Sequence, residues 1–165
     1  MSISIPLTES DFLYARSVAE ERWSMKGGWP LDFAIDSQSE QGVVVTGILG
    51  EMAYARFWDV PLDTRVLERG IGDGGVDLQL TGLTVDVKAT TRTTGRLILN
   101  QRPLSSPHYF SLAIITNTDV LLAGIISSAE FLCKAQQRDF GYGERFFLTQ
   151  EQLRSPSSIL TKGVR

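Results

Sequence analysis

Histidine and cysteine are almost missing from this chain, whose 165 residues hold one of each. The lone Cys133 cannot form an internal disulfide, so nothing here requires an oxidising compartment. The lone His108 excludes a two-histidine metal site, and any catalysis is expected to rest on carboxylates and lysine. The start, Met1-Ser2-Ile3-Ser4-Ile5-Pro6, lacks a basic stretch leading into an apolar run, so no signal peptide is expected. The longest apolar runs fall short of the roughly 18 residues that a membrane span needs. These absences predict a cytoplasmic chain with no membrane partner. An overall basic excess is missing too: 16 Lys and Arg against 19 Asp and Glu leave a net charge of −3. That argues against a histone-like nucleic-acid coat. With no repeat, low-complexity tract or long linker, residues 1–165 read as a single domain.

What charge there is lies unevenly. Residues 1–40 carry 3 basic and 7 acidic side chains, and residues 41–86 again carry 3 and 7. Residues 87–165 reverse the sign, with 10 basic and 5 acidic groups and a net of +5. Thr8 followed by Asp11 has the spacing of an N-cap, and Phe12, Ala15, Val18, Ala19 and Trp23 recur at helical spacing. They predict a helix over 9–25, closed by Lys26-Gly27-Gly28-Trp29-Pro30. A second helix is expected over 44–58, ahead of Pro61. Strands are expected over 76–80, 83–89, 96–101, 109–116 and 120–127, and helices near 128–137 and 149–154. This order predicts an α/β (α+β) fold, its core over 44–137, with a mixed central sheet of four or five strands flanked by helices. Phe12, Trp23, Trp29, Phe146, Phe147 and Cys133 are expected to pack in the core.

The first two strands carry the most chemistry. With Thr81-Gly82 as a two-residue loop, Leu80 pairs with Leu83, Gln79 with Thr84, Leu78 with Val85 and Asp77 with Asp86. Cross-strand partners share a face, with Cβ atoms about 4.5–5.5 Å apart. One face is then wholly apolar: Val76, Leu78, Leu80, Leu83, Val85, Val87 and Ala89. The other holds Asp77, Gln79, Thr84, Asp86, Lys88 and Thr90. Two directly opposed carboxylates repel, and Lys88 supplies one positive charge against two negative ones. A hard divalent cation such as Mg²⁺ would compensate them, since it takes one or two carboxylates and keeps several waters. The plainer reading is a solvated polar face whose side chains turn away from each other. Glu51, in the second helix, has Gly47, Ile48, Tyr54, Ala55 and Trp58 as helical neighbours and no basic partner among them. It either reaches water at the helix boundary or aims over the sheet at the same site.

Three segments carry a resemblance: Gly47-x-x-Gly50-Glu51, then Gly72-Asp73-Gly74-Gly75-Val76-Asp77-Leu78, then Val85-Asp86-Val87-Lys88-Ala89-Thr90. Together they resemble the PD-(D/E)xK, or restriction-endonuclease-like, nuclease superfamily over about residues 44–102. The chain departs from the pattern in three places. No proline precedes the first Asp, the second acid is Asp rather than the commoner Glu, and Gln101 is followed four residues on by Ser105. The last departure removes the Gln-x-x-x-Tyr motif of the exonuclease branch. The resemblance implies a restriction-endonuclease-like core and a Mg²⁺-dependent DNA endonuclease, with Mn²⁺ able to substitute. It implies that Asp77, Asp86 and the Val87 backbone carbonyl hold the ion, that Lys88 orients or deprotonates the attacking water, and that Glu51 completes the metal shell or holds a water. Asp73 reads first as a turn former in its glycine-rich loop.

From Lys88 to Asn117 no acidic residue occurs. Thr90, Arg92, Arg96 and Arg102 therefore form a candidate phosphate-contacting edge for DNA, with Gln101 a further candidate. An ordinary solvated loop is the plainer reading of the same stretch, and His108 reads as a loop residue. Since one metal site cuts one strand, double-strand cleavage would need a homodimer or a partner protein. Two other classes stay open: a catalytically inactive nucleic-acid-binding or scaffold protein of the same fold, and a small-molecule metal hydrolase.

Overall fold

The computed structural model describes residues 3–25, 40–62, 76–100, 102 and 107–159. A short strand β1 (Ile3–Pro6) leads into helices α1 (Glu9–Met25) and α2 (Glu40–Trp58). The expected N-cap forms reciprocally: the Asp11 amide donates to Thr8 Oγ1 at 3.3 Å, and the Thr8 amide donates to Asp11 Oδ2 at 2.8 Å. The second helix starts four residues before the expected Val44, because Gly42 weakens the helical signal without breaking the helix. Strands β2 (Leu78–Leu80) and β3 (Leu83–Thr90) follow, joined by the expected Thr81-Gly82 loop with Gly82 at φ 73°. Then come β4 (Leu97–Leu99), β5 (Tyr109–Ile115), β6 (Asp119–Ser127), α3 (Ser128–Lys134), β7 (Gln136–Asp139) and β8 (Glu144–Leu148).

The strands form two sheets. The central one has five strands in the order β1-β6-β5-β3-β2. Its β3–β5 pairing is parallel and the others antiparallel, so the sheet is mixed as expected. The segment expected as a third strand, 96–101, does not join it. Its ordered part, β4, pairs instead with β8 in a small antiparallel sheet of order β4-β8-β7. Two further expectations change near the end. The helix expected over 128–137 stops at Lys134 and gives way to β7, and 149–154 holds only a 3₁₀ turn at Gln150–Gln152.

Helix α2 lies across one face of the central sheet. A Cβ at Gly50 would stand 2.9 Å from the Ala89 Cβ and 3.1 Å from the Ala113 Cβ, so glycine permits this close approach. One turn on, the buried Tyr54 hydroxyl lies 2.9 Å from both the Leu112 and Gly124 carbonyls, where the β5–β6 register shifts. Burial pushes the Tyr54 phenol well above its ordinary pKa, so it stays protonated and able to donate. Helix α1 packs beside α2, and the Arg56 guanidinium bonds both carboxylate oxygens of Asp11. The expected apolar stripe of the hairpin is seated here: Leu78, Leu80, Val85 and Val87 are buried in the main core. The opposite face of the sheet has its own core, where Phe110 and Ile126 meet Leu97, Leu99 and Leu148 of the small sheet and Phe131 of α3.

The expected core aromatics divide. Phe147 is buried, Phe12 and Phe146 are half-buried, and the Trp23 side chain and Trp29 lie outside the described residues. Cys133, expected between helix and sheet, is exposed instead, because it falls on the outer side of α3 while Phe131 takes the inner one. Among the described residues, no helix is long and apolar enough to cross a membrane.

Candidate active site at the β2–β3 hairpin

Three of the four expected cross-strand pairs are present: Leu80↔Leu83, Gln79↔Thr84 and Leu78↔Val85. The fourth, Asp77↔Asp86, is not part of the ladder. Although Val85 is already partnered by Leu78, the Asp77 amide donates to the Val85 carbonyl at 3.0 Å. The ladder ends at Leu78↔Val85, and Asp77 leaves its register there. The Asp77 carboxylate instead accepts a 2.7 Å hydrogen bond from the Val87 amide, one residue beyond Asp86. Leaving the ladder replaces direct opposition with a contact to the peptide between Asp86 and Lys88.

On β3, Asp86 and Lys88 point to the same side, two residues apart. Lys88 Nζ stands 2.7 Å from Asp86 Oδ1, with the carboxylate side chain 8% exposed and the lysine 41%. The parallel register sets Asp86 beside Phe110 and Lys88 beside Leu112, on the face turned toward the small sheet. Val87 and Ala89 alternate onto the face that α2 covers. The N–H and C=O of one strand residue project to the same edge. The Val87 carbonyl thus points to the edge where its amide holds Asp77.

Asp77, Asp86 and the Val87 carbonyl are a set of hard oxygen donors, the kind that Mg²⁺ takes. The residues fit such an ion by donor type. Among the described residues, no group of three or more His, Cys, Asp or Glu side chains gathers around one point. Glu51 is buried in the helix layer, 3.8 Å from the Arg22 guanidinium of α1. The helical neighbours of Glu51 gave no sign of this cation, because it comes from another helix. Asp73 and Gln101 lie outside the described residues.

The candidate phosphate-contacting edge divides into an exposed part and a stacked part. Thr90 Oγ1 accepts from the Arg92 amide at 3.2 Å, the Gly95 amide donates to the Arg92 carbonyl at 2.8 Å, and Arg92 itself is exposed. Gln150 Nε2 holds the same turn through the Thr93 and Gly95 carbonyls, each at 2.9 Å. Arg96 lies over the Phe147 ring at 5.1 Å and Arg102 over the Phe146 ring at 5.3 Å. These ring contacts were not visible in the sequence, since β8 lies some fifty residues downstream. His108 ties the hairpin to the approach to β5: its Nδ1 accepts from the Thr84 amide at 3.1 Å, and its own amide donates to Thr84 Oγ1 at 3.1 Å. That is a bracing role, in keeping with its reading as a loop residue. Comparison with protein-family models, with curated proteins and with solved structures finds no match to this chain.

Proposed function

We propose that the chain is a cytoplasmic, Mg²⁺-dependent DNA endonuclease of the PD-(D/E)xK type, hydrolysing phosphodiester bonds at the Asp77, Asp86 and Lys88 segment. One observation carries the reading: a single stretch of β3 holds the Asp77 carboxylate at the Val87 amide, and Lys88 at 2.7 Å from Asp86. Asp77, Asp86 and the Val87 carbonyl would hold Mg²⁺, with Mn²⁺ able to substitute. The ion supplies Lewis-acid polarisation of the scissile phosphate and activation of water. Lys88, 2.7 Å from Asp86, would orient or help deprotonate the attacking water and offset charge developing on the phosphate oxygens. Arg92 offers an exposed guanidinium one turn beyond Thr90 for a neighbouring phosphate. Glu51, 3.8 Å from the Arg22 guanidinium in the helix layer, would complete the metal shell or hold a water. With one such site per chain, cutting both strands requires a homodimer or a partner protein.

The test is a single gel series. Supercoiled, linear, single-stranded and four-way-junction DNA are each incubated with and without Mg²⁺ or Mn²⁺. Cleavage is expected only with metal, and Asp86→Ala and Lys88→Ala should each lower it by about 100-fold or more. If no DNA form is cut with either ion, the reading fails. The direct Lys88–Asp86 ion pair favours a second reading, in which the pair is self-neutralised and the protein binds nucleic acid without cutting it. Calorimetric titration with Mn²⁺ separates the two, since only the nuclease needs the ion at Asp77 and Asp86.

A further inference from the structure

The outward face of the small sheet carries a charge pattern that the hairpin site does not use. The β7–β8 register sets Arg138 directly opposite Arg145, and Phe147 opposite both Ile98 and Gln136. Strand alternation puts Arg96, Phe147, Arg145 and Arg138 on one face, while Leu97, Leu99 and Leu148 turn into the core beneath. Like charges directly opposite each other destabilise a sheet. Among the described residues, Arg96, Arg138 and Arg145 form no ion pair. The neighbouring Asp139 alternates to the other side, and its Oδ1 accepts from the Gly141 and Gly143 amides at 2.7 and 3.1 Å.

Each of these arginines lies instead over an aromatic ring: Arg96 over Phe147 at 5.1 Å, Arg138 over Phe140 at 5.7 Å, and Arg145 over Tyr142 at 5.1 Å. The rings also meet one another, Phe140 edge-on to Phe147 at 5.5 Å and stacked with Tyr142 at 6.3 Å. Tyr142 is 61% exposed. Cation–π contacts hold the guanidiniums over the rings without neutralising them. A bound anion would do that.

We infer that this face binds single-stranded nucleic acid, its phosphates on the guanidiniums of Arg96, Arg138 and Arg145 and its bases stacked on Tyr142 and Phe140. The mixture selects the ligand. A phosphate chain satisfies a row of forked donors, and only an unpaired strand presents base faces to rings at the same time. A duplex keeps those faces inside its stack, and an acidic peptide has nothing to lay on the rings. The inference does not rest on the nuclease reading, because binding here needs no metal and no Asp86.

The test is fluorescence anisotropy of fluorescein-labelled oligothymidylate with the whole chain in EDTA at low salt. Saturable binding is expected, weakening with salt by a log–log slope of about 0.7 per phosphate contacted. Tyr142→Ala and Arg138→Gln should each weaken it about tenfold. Arg138→Gln also removes the opposed charge, so its melting temperature should hold or rise, which separates lost binding from lost folding. Four results would overturn the inference: no binding at low salt, equal affinity for duplex of the same sequence, displacement by polyglutamate as effective as by unlabelled strand, or unchanged affinity in both surface variants.

Discussion

The Val87 amide donates a 2.7 Å hydrogen bond to the carboxylate of Asp77, ten residues upstream. This contact joins the start of the hairpin to the peptide between Asp86 and Lys88, and it separates two roles of Asp77 that a single substitution would confuse. Asp77→Asn keeps an oxygen acceptor for the Val87 amide but loses the charge. It should fold with a melting temperature near that of the wild type while losing Mn²⁺ binding in calorimetry. Asp77→Ala removes the acceptor as well and leaves a buried amide unsatisfied, at a cost of about 1–3 kcal/mol in urea unfolding. If the two variants are equally destabilised, the hydrogen bond contributes little.

Much of this hairpin was legible beforehand because its determinants are local. A two-residue loop with glycine at its second position and strict apolar alternation on both sides fix three register pairs. Asp77 escaped because the alternating pattern carries no mark of the point where the strand leaves the ladder. Longer-range relationships were harder still. Strand β7, Gln136-Gln137-Arg138-Asp139, is exposed throughout and has no apolar alternation, so its first two residues read as the tail of a helix. Its partner β8 shows two adjacent phenylalanines that face opposite sides, which reads as core from either direction. The stacked arginines follow from that pairing and were invisible with it. The Glu51–Arg22 pair spans two helices, and no local spacing rule reaches it.

Helix α2 should be intolerant of even one added methyl group where it crosses the sheet. A Cβ at Gly50 meets the Ala89 Cβ at 2.9 Å and the Ala113 Cβ at 3.1 Å, and both neighbours are themselves on rigid strands. Gly50→Ala should destabilise the fold by about 1–3 kcal/mol despite its better helix propensity. Gly47, which has open space around its Cβ position, is the control. Gly47→Ala should be neutral or stabilising by up to about 1 kcal/mol in the same unfolding measurement.

The Tyr54 hydroxyl serves two carbonyls at the irregular point of the β5–β6 pairing, 2.9 Å from Leu112 and 2.9 Å from Gly124. Tyr54→Phe preserves the ring and its packing on Trp58, whose centroid is 4.9 Å away. The loss is then confined to the hydrogen bonding, about 1–2 kcal/mol by urea unfolding. Amide exchange should quicken at Ala113 and Gly124, which flank the register shift, and stay unchanged in the small sheet.

Acid should loosen the helix layer, and the reason lies at Asp11. The Arg56 guanidinium bound to its carboxylate holds the Asp11 pKa down at about 2, against an ordinary value of 3.8. A carboxyl group depressed in the folded state contributes stability that is fully present above its unfolded pKa and is lost as pH falls through the folded one. Between about pH 4 and pH 2 this single group should therefore cost the fold about 2 kcal/mol, with Asp11 itself almost fully buried. Asp11→Asn loses that contribution at neutral pH, and its stability should vary less with pH across the same window. Urea unfolding of both proteins at pH 7, 4 and 2.5 measures the difference, and parallel curves would show that Arg56 does not hold the carboxylate in solution.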